Sequence, residues 1–225
     1  MPMSHPLDRA VWHSLATRHA ALSEGDDLAR RFVPHVHEFA AARDPGEEAQ
    51  RALATLARAD AGLLLVETEV APIPAGLRCD RVAPLDQMVL DTLAPGPLAT
   101  DFVALDDADA ADMMTLATLT RPGPFYPSTH AMGSFVGIRE HGTLIAMAGE
   151  RLKLPGFAEV SAVCTHPDHR GRGLAPALMR VVITRMLARG DAAFLHAYPD
   201  NPAIALYQAM GFRRRRQMML THLVR

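Results

Sequence analysis

The stretch AEVSAVCTHPDHRGRGLAPALMRVV, residues 158–182, holds the pattern that decides the fold. Its first half, with Val160, Val163 and Thr165, is β-branched and apolar and reads as a strand. From Gly173 to Arg189 the apolar residues recur at helical spacing. Between strand and helix lies Arg170-Gly171-Arg172-Gly173-Leu174-Ala175, where small residues let backbone approach a ligand closely. The first N–H groups of a helix lack partners within it, and the helix dipole adds partial positive charge there. Such a strand–turn–helix is an anion site suited to a pyrophosphate, to which Arg170 and Arg172 can add cationic contacts. Two other phosphate motifs are excluded. GxGxxG needs a third glycine where Pro176 stands, and no Lys-Ser/Thr pair follows the glycines as a P-loop would require.

Downstream, Ala193 to Ala197 reads as a strand. NPAIALYQAMGF (201–212) then reads as a helix, with Asn201 suited to its N-cap, Pro202 to its first turn and Gly211 to its C-cap. Gln217 to Val224 is a final strand. Upstream, 134–139 and 143–151 form a hairpin around His141-Gly142, and 157–165 is a third strand. A helix over 106–118 leads into the rigid loop RPGPFYP (121–127). The order helix, three strands, helix, strand, helix, strand is that of an α/β layer protein. Pro95, Gly96 and Pro97 mark a boundary between residues 1–97 and 98–225. Before it, helices are expected over 7–22 and 47–60 and strands over 63–66 and 87–90, while 26–46 carries no firm assignment.

RGRGLA resembles the acyl-CoA-binding motif of the GNAT superfamily of N-acetyltransferases, and NPAIALYQAMGF is similar to the next motif of that superfamily. Their order and separation match, over about residues 134–224. The wording THPDHRGRG is close to the glycine N-acyltransferase-like branch. The resemblance implies a mixed, twisted sheet flanked by helices, in which two parallel strands splay apart to admit the pantetheine arm of acetyl-CoA. It puts the backbone of Val163, Cys164 and Thr165 on that arm and Asn201 near it. The N–H groups of Arg170, Gly171, Arg172, Gly173, Leu174 and Ala175 fall on the pyrophosphate, one contact being lost at Pro176, which has no N–H. Tyr207 becomes the general acid for the leaving thiolate. Glu159 stands where relatives often carry a catalytic carboxylate and is the candidate base, with Glu150 second. Direct attack by an amine needs neither an enzyme nucleophile nor a metal. Residues 1–97 become a lid over the acceptor site or a degenerate second copy of the fold; strands in a separate sheet would mark the copy.

Composition narrows the field. The chain of 225 residues has a net charge of −2 with 49% hydrophobic residues, which gives no general attraction to nucleic acid or membrane. Two cysteines and no charged region followed by an apolar run imply a reducing, cytoplasmic setting without a signal peptide. Bland readings compete at each position. His166 and His169 lack the ligand set of a metal site. Cys164 lies in an apolar strand without an evident base. The run Arg213 to Arg216 alternates faces if it is a strand, so it makes a poor nucleic-acid stripe. Three further functions stay open: an acyl-CoA sensor without turnover, an acyltransferase using a longer acyl-CoA or an amino-acid acceptor, and a nucleic-acid-associated protein using the arginine run. The acceptor is expected to be a small-molecule or peptide amine, and edge strands would serve a homodimer.

Overall fold

The computed structural model describes residues 5–225; residues 1–4, which open the stretch MPMSHPLDRAVWHSL read above as no signal peptide, lie outside the described residues. Three short strands, β1 (Ser23–Gly25), β2 (Ala29–Phe32) and β3 (Ala40–Ala42), pair antiparallel in a small sheet, β2 and β3 within the unassigned segment 26–46 and β1 just before it. The remaining strands build one sheet: β4 (Leu63–Glu67), β5 (Arg78–Leu90), β6 (Val103–Leu105), β7 (Phe135–Glu140), β8 (Thr143–Leu154), β9 (Phe157–Thr165), β10 (Ala192–Ala197) and β11 (Phe212–Val224). Their order is β4-β11-β5-β10-β9-β8-β7-β6, and β9 and β10 are the parallel pair. Among the described residues five α-helices accompany them: α1 (Ala10–Ala16), α2 (Glu47–Leu56), α3 (Ala110–Thr120), α4 (Leu174–Ala188) and α5 (Ile204–Ala209). This is the mixed sheet flanked by helices that the motif order implied.

The alternation along the central strands says which helix covers which face. Ala146 and Ala148 of β8 pack in one cluster with Leu178, Val182 and Ile183 of α4, while Met147 packs with Met113 and Leu116 of α3. Side chains on neighbouring strand positions point to opposite faces, so α4 and α3 lie on opposite sides of the sheet. The face opposite α4 is completed by the N-terminal segment: Leu7, Val11 and Leu15 pack with Phe32, Val36, Leu85, Leu152 and Phe194.

Several elements differ from the sequence reading. β5 runs for 13 residues, of which the expected strand at 87–90 is only the end. A proline is unusual inside a strand, but Pro84 pairs on one side only, with Met219 of β11; β10 joins β5 from Asp86 onward. A proline is tolerated where its missing N–H faces no neighbour. β11 starts at Phe212 rather than Gln217, taking in the whole arginine run. The first helix stops at Ala16 because Thr17 leaves helical geometry (φ −130, ψ −98). β4 and β5 do not form a separate sheet; β11 lies between them in the main one. Among the described residues no helix is long and apolar enough to cross a membrane.

Candidate active site

The centre of β9 contains an irregularity that shapes everything around it. Met147 pairs with Cys164 and Gly149 with Ser161, so between these pairs β9 has two residues, Ala162 and Val163, where β8 has one, Ala148. Ala162 absorbs the extra residue with a left-handed φ of 51°, a β-bulge. A one-residue slip reverses which face each side chain meets. Ala158 and Val160 pack beneath α4, yet beyond the bulge it is Val163 that does so, and Ala162 and Cys164 turn to α3. Pairing with β10 covers Phe157, Ala158 and Glu159 and ends there. From Val160 onward β9 leaves its parallel neighbour, and α5 fills the other flank of the gap.

A cleft of about 200 Å3 opens where the strands part. Val163, Cys164 and Thr165 form one wall, Ala203, Leu206 and Tyr207 of the α5 region the other, Thr120 and Pro122 a third, and Arg170 and Ala175 stand at the turn that opens α4. The two sequence motifs thus face each other across one space. At its mouth Gly171 and Gly173 have φ of 75° and 73°, which favours glycine. A Cβ on either would meet no atom within 4 Å, so the backbone here borders open space rather than packed protein. Gly173 caps α4 without a side-chain bond, and the N–H groups of residues 171–175 find no backbone acceptor among the described residues. A short chain of free donors at a helix N-terminus, beside a slot between splayed strands, fits an anionic head group with an extended arm.

The expected side chains divide. Arg170 is exposed on the cleft, whereas Arg172 is turned to Glu140, 3.1 Å away, with His169 also on that carboxylate at 2.9 Å. Tyr207 lines the cleft, packs edge-on to Phe212, and has its hydroxyl pKa raised by burial, so it holds its proton. Asn201 uses Oδ1 to accept the Ala203 N–H at 2.8 Å, a local turn that delays α5 to Ile204; it is absent from the cleft wall. Burial pushes the Cys164 thiol up to about 11, which suits a packed residue rather than a nucleophile.

Glu159 is not among the residues lining the cleft. Its side chain is fully buried. Arg151 donates to both its oxygens at 2.9 and 2.8 Å, the Leu152 N–H to Oε2 at 3.3 Å, and His196 Nδ1 lies 2.7 Å from Oε1. Burial alone would raise its pKa, but Arg151, reinforced by His196, holds it well below the carboxylate range. A carboxylate so saturated does not accept a proton from an incoming ammonium. Glu150 is likewise buried and bonded to Arg189 at 2.8 Å. Among the described residues no carboxylate lines the cleft. Sequence reasoning missed Ala162, whose identity carries no hint of a bulge, and Arg151, whose importance rests on a partner eight positions away.

The arginine run is spent on carboxylates. Arg213 meets Asp91 at 2.7 Å, Arg214 meets Asp86 at 2.7 Å, and Arg215 and Arg216 meet Asp8 at 2.7 and 2.9 Å.

Comparison with known proteins places this geometry. Residues 135–220 match the model of FR47-like proteins. A crystal structure of a putative acetyltransferase from the GNAT family of Novosphingobium aromaticivorans is 44% identical, covers 99% of both chains and superposes with a TM-score of 0.91. A GCN5-related N-acetyltransferase from Kribbella flavida, at 19% identity over 96% of this chain and 94% of its own, shares the fold with a TM-score of 0.63. Sixty residues are 40% identical to a mycothiol acetyltransferase of Corynebacterium aurimucosum, a match spanning 26% of this chain and only 20% of that protein.

Proposed function

The chain belongs to the GNAT family, and from that premise we propose that it takes the acetyl group of acetyl-CoA, bound between β9 and β10, and passes it to an amine. The observation that carries this reading is the placement of the left-handed Gly171 and Gly173, opening on the N-terminus of α4, at the mouth of the slot that holds Tyr207. The donor supplies an activated thioester carbonyl. The free N–H groups of residues 171–175 and Arg170 hold its pyrophosphate, and the β9 edge at Val163 to Thr165, unpaired beyond Glu159, offers backbone partners to the arm.

The reaction balances without an enzyme nucleophile. The amine nitrogen bonds to the thioester carbon, the C–S bond breaks, and the sulfur leaves with the electron pair. Tyr207, kept protonated by burial, donates to the sulfur as charge builds there. With Glu159 and Glu150 both bound to arginines and no carboxylate on the cleft wall, the ammonium sheds its proton to water before attack, and the second proton, lost from the nitrogen as the amide forms, passes through water to restore the Tyr207 hydroxyl.

Residues 1–97 act in this reading as the brace of an acceptor lid. The loop 121–127 is joined to the N-terminal segment by Ser128 N–H donating to His35 O at 2.9 Å and Thr129 Oγ1 to Val36 O at 2.8 Å. The loop residues Pro122, Gly123, Pro124 and Phe125 sit over Arg151, Ser161 and Ala162 of the bulge. The similarity to a mycothiol acetyltransferase supports the acetyl donor; it spans too little of that protein to carry the acceptor. The THPDHRGRG wording supports the glycine N-acyltransferase-like branch, so an acceptor screen should include glycine beside other small amines and peptide N-termini.

Thermal unfolding with acetyl-CoA, CoA and ATP added separately tests the reading. A ligand at about a hundred times its dissociation constant adds roughly 2.7 kcal/mol. Stabilisation by both CoA species but not ATP is expected; no stabilisation by either CoA species refutes the donor assignment.

A further inference from the structure

The bonds around Glu159 belong to a longer row. Arg215 Nη1 donates to Gln87 Oε1 at 2.8 Å, Gln87 Nε2 lies 3.1 Å from His196 Nε2, His196 Nδ1 lies 2.7 Å from Glu159, and Arg151 clasps both oxygens of Glu159. These residues sit on β11, β5, β10, β9 and β8, which are five consecutive neighbours in the sheet. The row lies on the face opposite α4, beneath the N-terminal segment. Gln87 Nε2 also donates to Leu7 O at 2.8 Å, and the Arg151 guanidinium lies 4.9 Å from the Phe39 ring.

Hydrogen-bond logic fixes the orientation of each member. Gln87 must direct Oε1 to the arginine and Nε2 to the Leu7 carbonyl, so its other amide hydrogen points at His196 Nε2. That nitrogen then accepts, and Nδ1 carries the hydrogen donated to Glu159. Turning the amide over would set donor against donor at Arg215 and acceptor against acceptor at Leu7. The imidazole is therefore held from both sides.

Its place along the strands gives the row a purpose. Backbone pairing between β9 and β10 ends at Glu159 opposite Phe194. His196 is two residues farther along β10 and reaches back to Glu159. The side-chain tie thus bridges the two strands just beyond their last backbone bond, at the apex of the cleft.

We propose that His196 and Glu159 form an apex clamp, positioning residues that set the separation of β9 and β10 and so pre-organise the slot for the donor's arm. The proposal rests on the reading of that slot as the acetyl-CoA site. Neither residue is among those lining the cleft; both act through the two strands. Pre-organisation of this kind is felt as affinity, because a slot that must be ordered on binding binds more weakly.

The test measures CoA binding by calorimetry, with thermal unfolding in parallel, for four proteins. In His196→Leu the tie is lost, but Glu159 keeps Arg151 and the Leu152 N–H, so no charge is orphaned. His196→Asn restores an amide donor near the Nδ1 position. Leu223→Ala truncates a buried side chain in a separate cluster with Leu53 and Leu63 and serves as a control for lost stability. The clamp predicts CoA affinity roughly tenfold weaker in His196→Leu, recovery to within about threefold in His196→Asn, and wild-type affinity in Leu223→Ala despite its lower melting temperature. Unchanged affinity in His196→Leu, no recovery in His196→Asn, or equal weakening in Leu223→Ala overturns it. Should His196→Leu not fold, Gln87→Met removes the bond on the far side of the imidazole, together with those to Arg215 and the Leu7 carbonyl, and leaves the His196–Glu159 tie itself in place; it is expected to weaken CoA binding about threefold, and wild-type affinity there overturns the clamp. Failure of the wild type to bind CoA defeats the reading of the slot itself, a result distinct from any difference among variants.

Discussion

Replacing Gly173 with alanine separates a ligand-binding turn from a merely structural one. The added Cβ meets nothing within 4 Å in the protein, so no packing clash enters. What remains is the backbone: at φ +73° an alanine is strained by about 1–2 kcal/mol. The stiffer unfolded chain returns about 0.4–1 kcal/mol of that, which leaves a net loss near 1 kcal/mol. For a chain of this size such a loss lowers the melting temperature by roughly 2–4 °C. The ligand sees a different cost. The methyl group projects into the space from which a pyrophosphate would meet the α4 N-terminus, and each charge-assisted hydrogen bond lost is worth about 1.5–3 kcal/mol. Affinity for CoA should therefore fall roughly 10- to 150-fold, far more than the stability change suggests. Calorimetric titration of CoA beside urea unfolding reads both numbers on one preparation. Full affinity with the expected loss of stability would mean that no phosphate sits on this turn. Gly211 provides the contrast: a Cβ there would lie 1.9 Å from Thr92 O at φ +104°, so Gly211→Ala should cost about 3 kcal/mol or more through strain and overlap, whatever ligand is added.

Tyr207→Phe should leave CoA binding intact and cut thiol release in the transfer assay by roughly a hundredfold or more; unaltered turnover removes Tyr207 from the mechanism. Arg170→Ala should weaken CoA binding by about tenfold, and Arg172→Ala by less than about threefold because its guanidinium already serves Glu140; the reverse ranking in titrations would show that the two arginines exchange roles on binding. Acid should destabilise the fold in two windows. His19 is buried between Ser14 and the Met132 carbonyl, and burial lowers its pKa from 6.5 to about 4. The unfolded chain therefore takes up a proton below pH 6.5 that the folded chain refuses, and stability is lost as pH falls toward 4, by roughly 3 kcal/mol. Buried His37 acts in the same direction. Glu159, held below its ordinary 4.5, contributes stability that is full above that value and is lost only at lower pH. Urea midpoints that stay level from pH 7 to 4 would contradict the neutral, buried His19.

The legible parts of the chain were those whose pattern is local. The strand 157–165, the hairpin turn at His141-Gly142 and the glycine pair before α4 each depend on residues adjacent in sequence, and each lies where periodicity and turn chemistry put it. The illegible parts depend on neighbours brought in from afar. Pro84 reads as a break until β10 is seen to stop short of it. The arginine run reads as free charge until β5 and Asp8 are seen beside it. Ala162 takes a glycine-like φ where the register against β8 takes up an extra residue, and nothing in an alanine announces that.

Glu159 draws the two cases together. A motif places a carboxylate on the central strand, but motif position says nothing of the partners that decide whether a carboxylate takes protons or holds strands. Here those partners come from β8 and β10, the strands on either side of it, and they arrive as donors on every side. The same burial that would make a lone carboxylate a strong base makes this one, fully paired, a fixed negative charge. The geometry that removes Glu159 from proton transfer is thus the geometry that fits it to tie β9 to β10. Loss of the charge should be felt first in how well the slot receives the arm of CoA, and only through that in the rate of transfer.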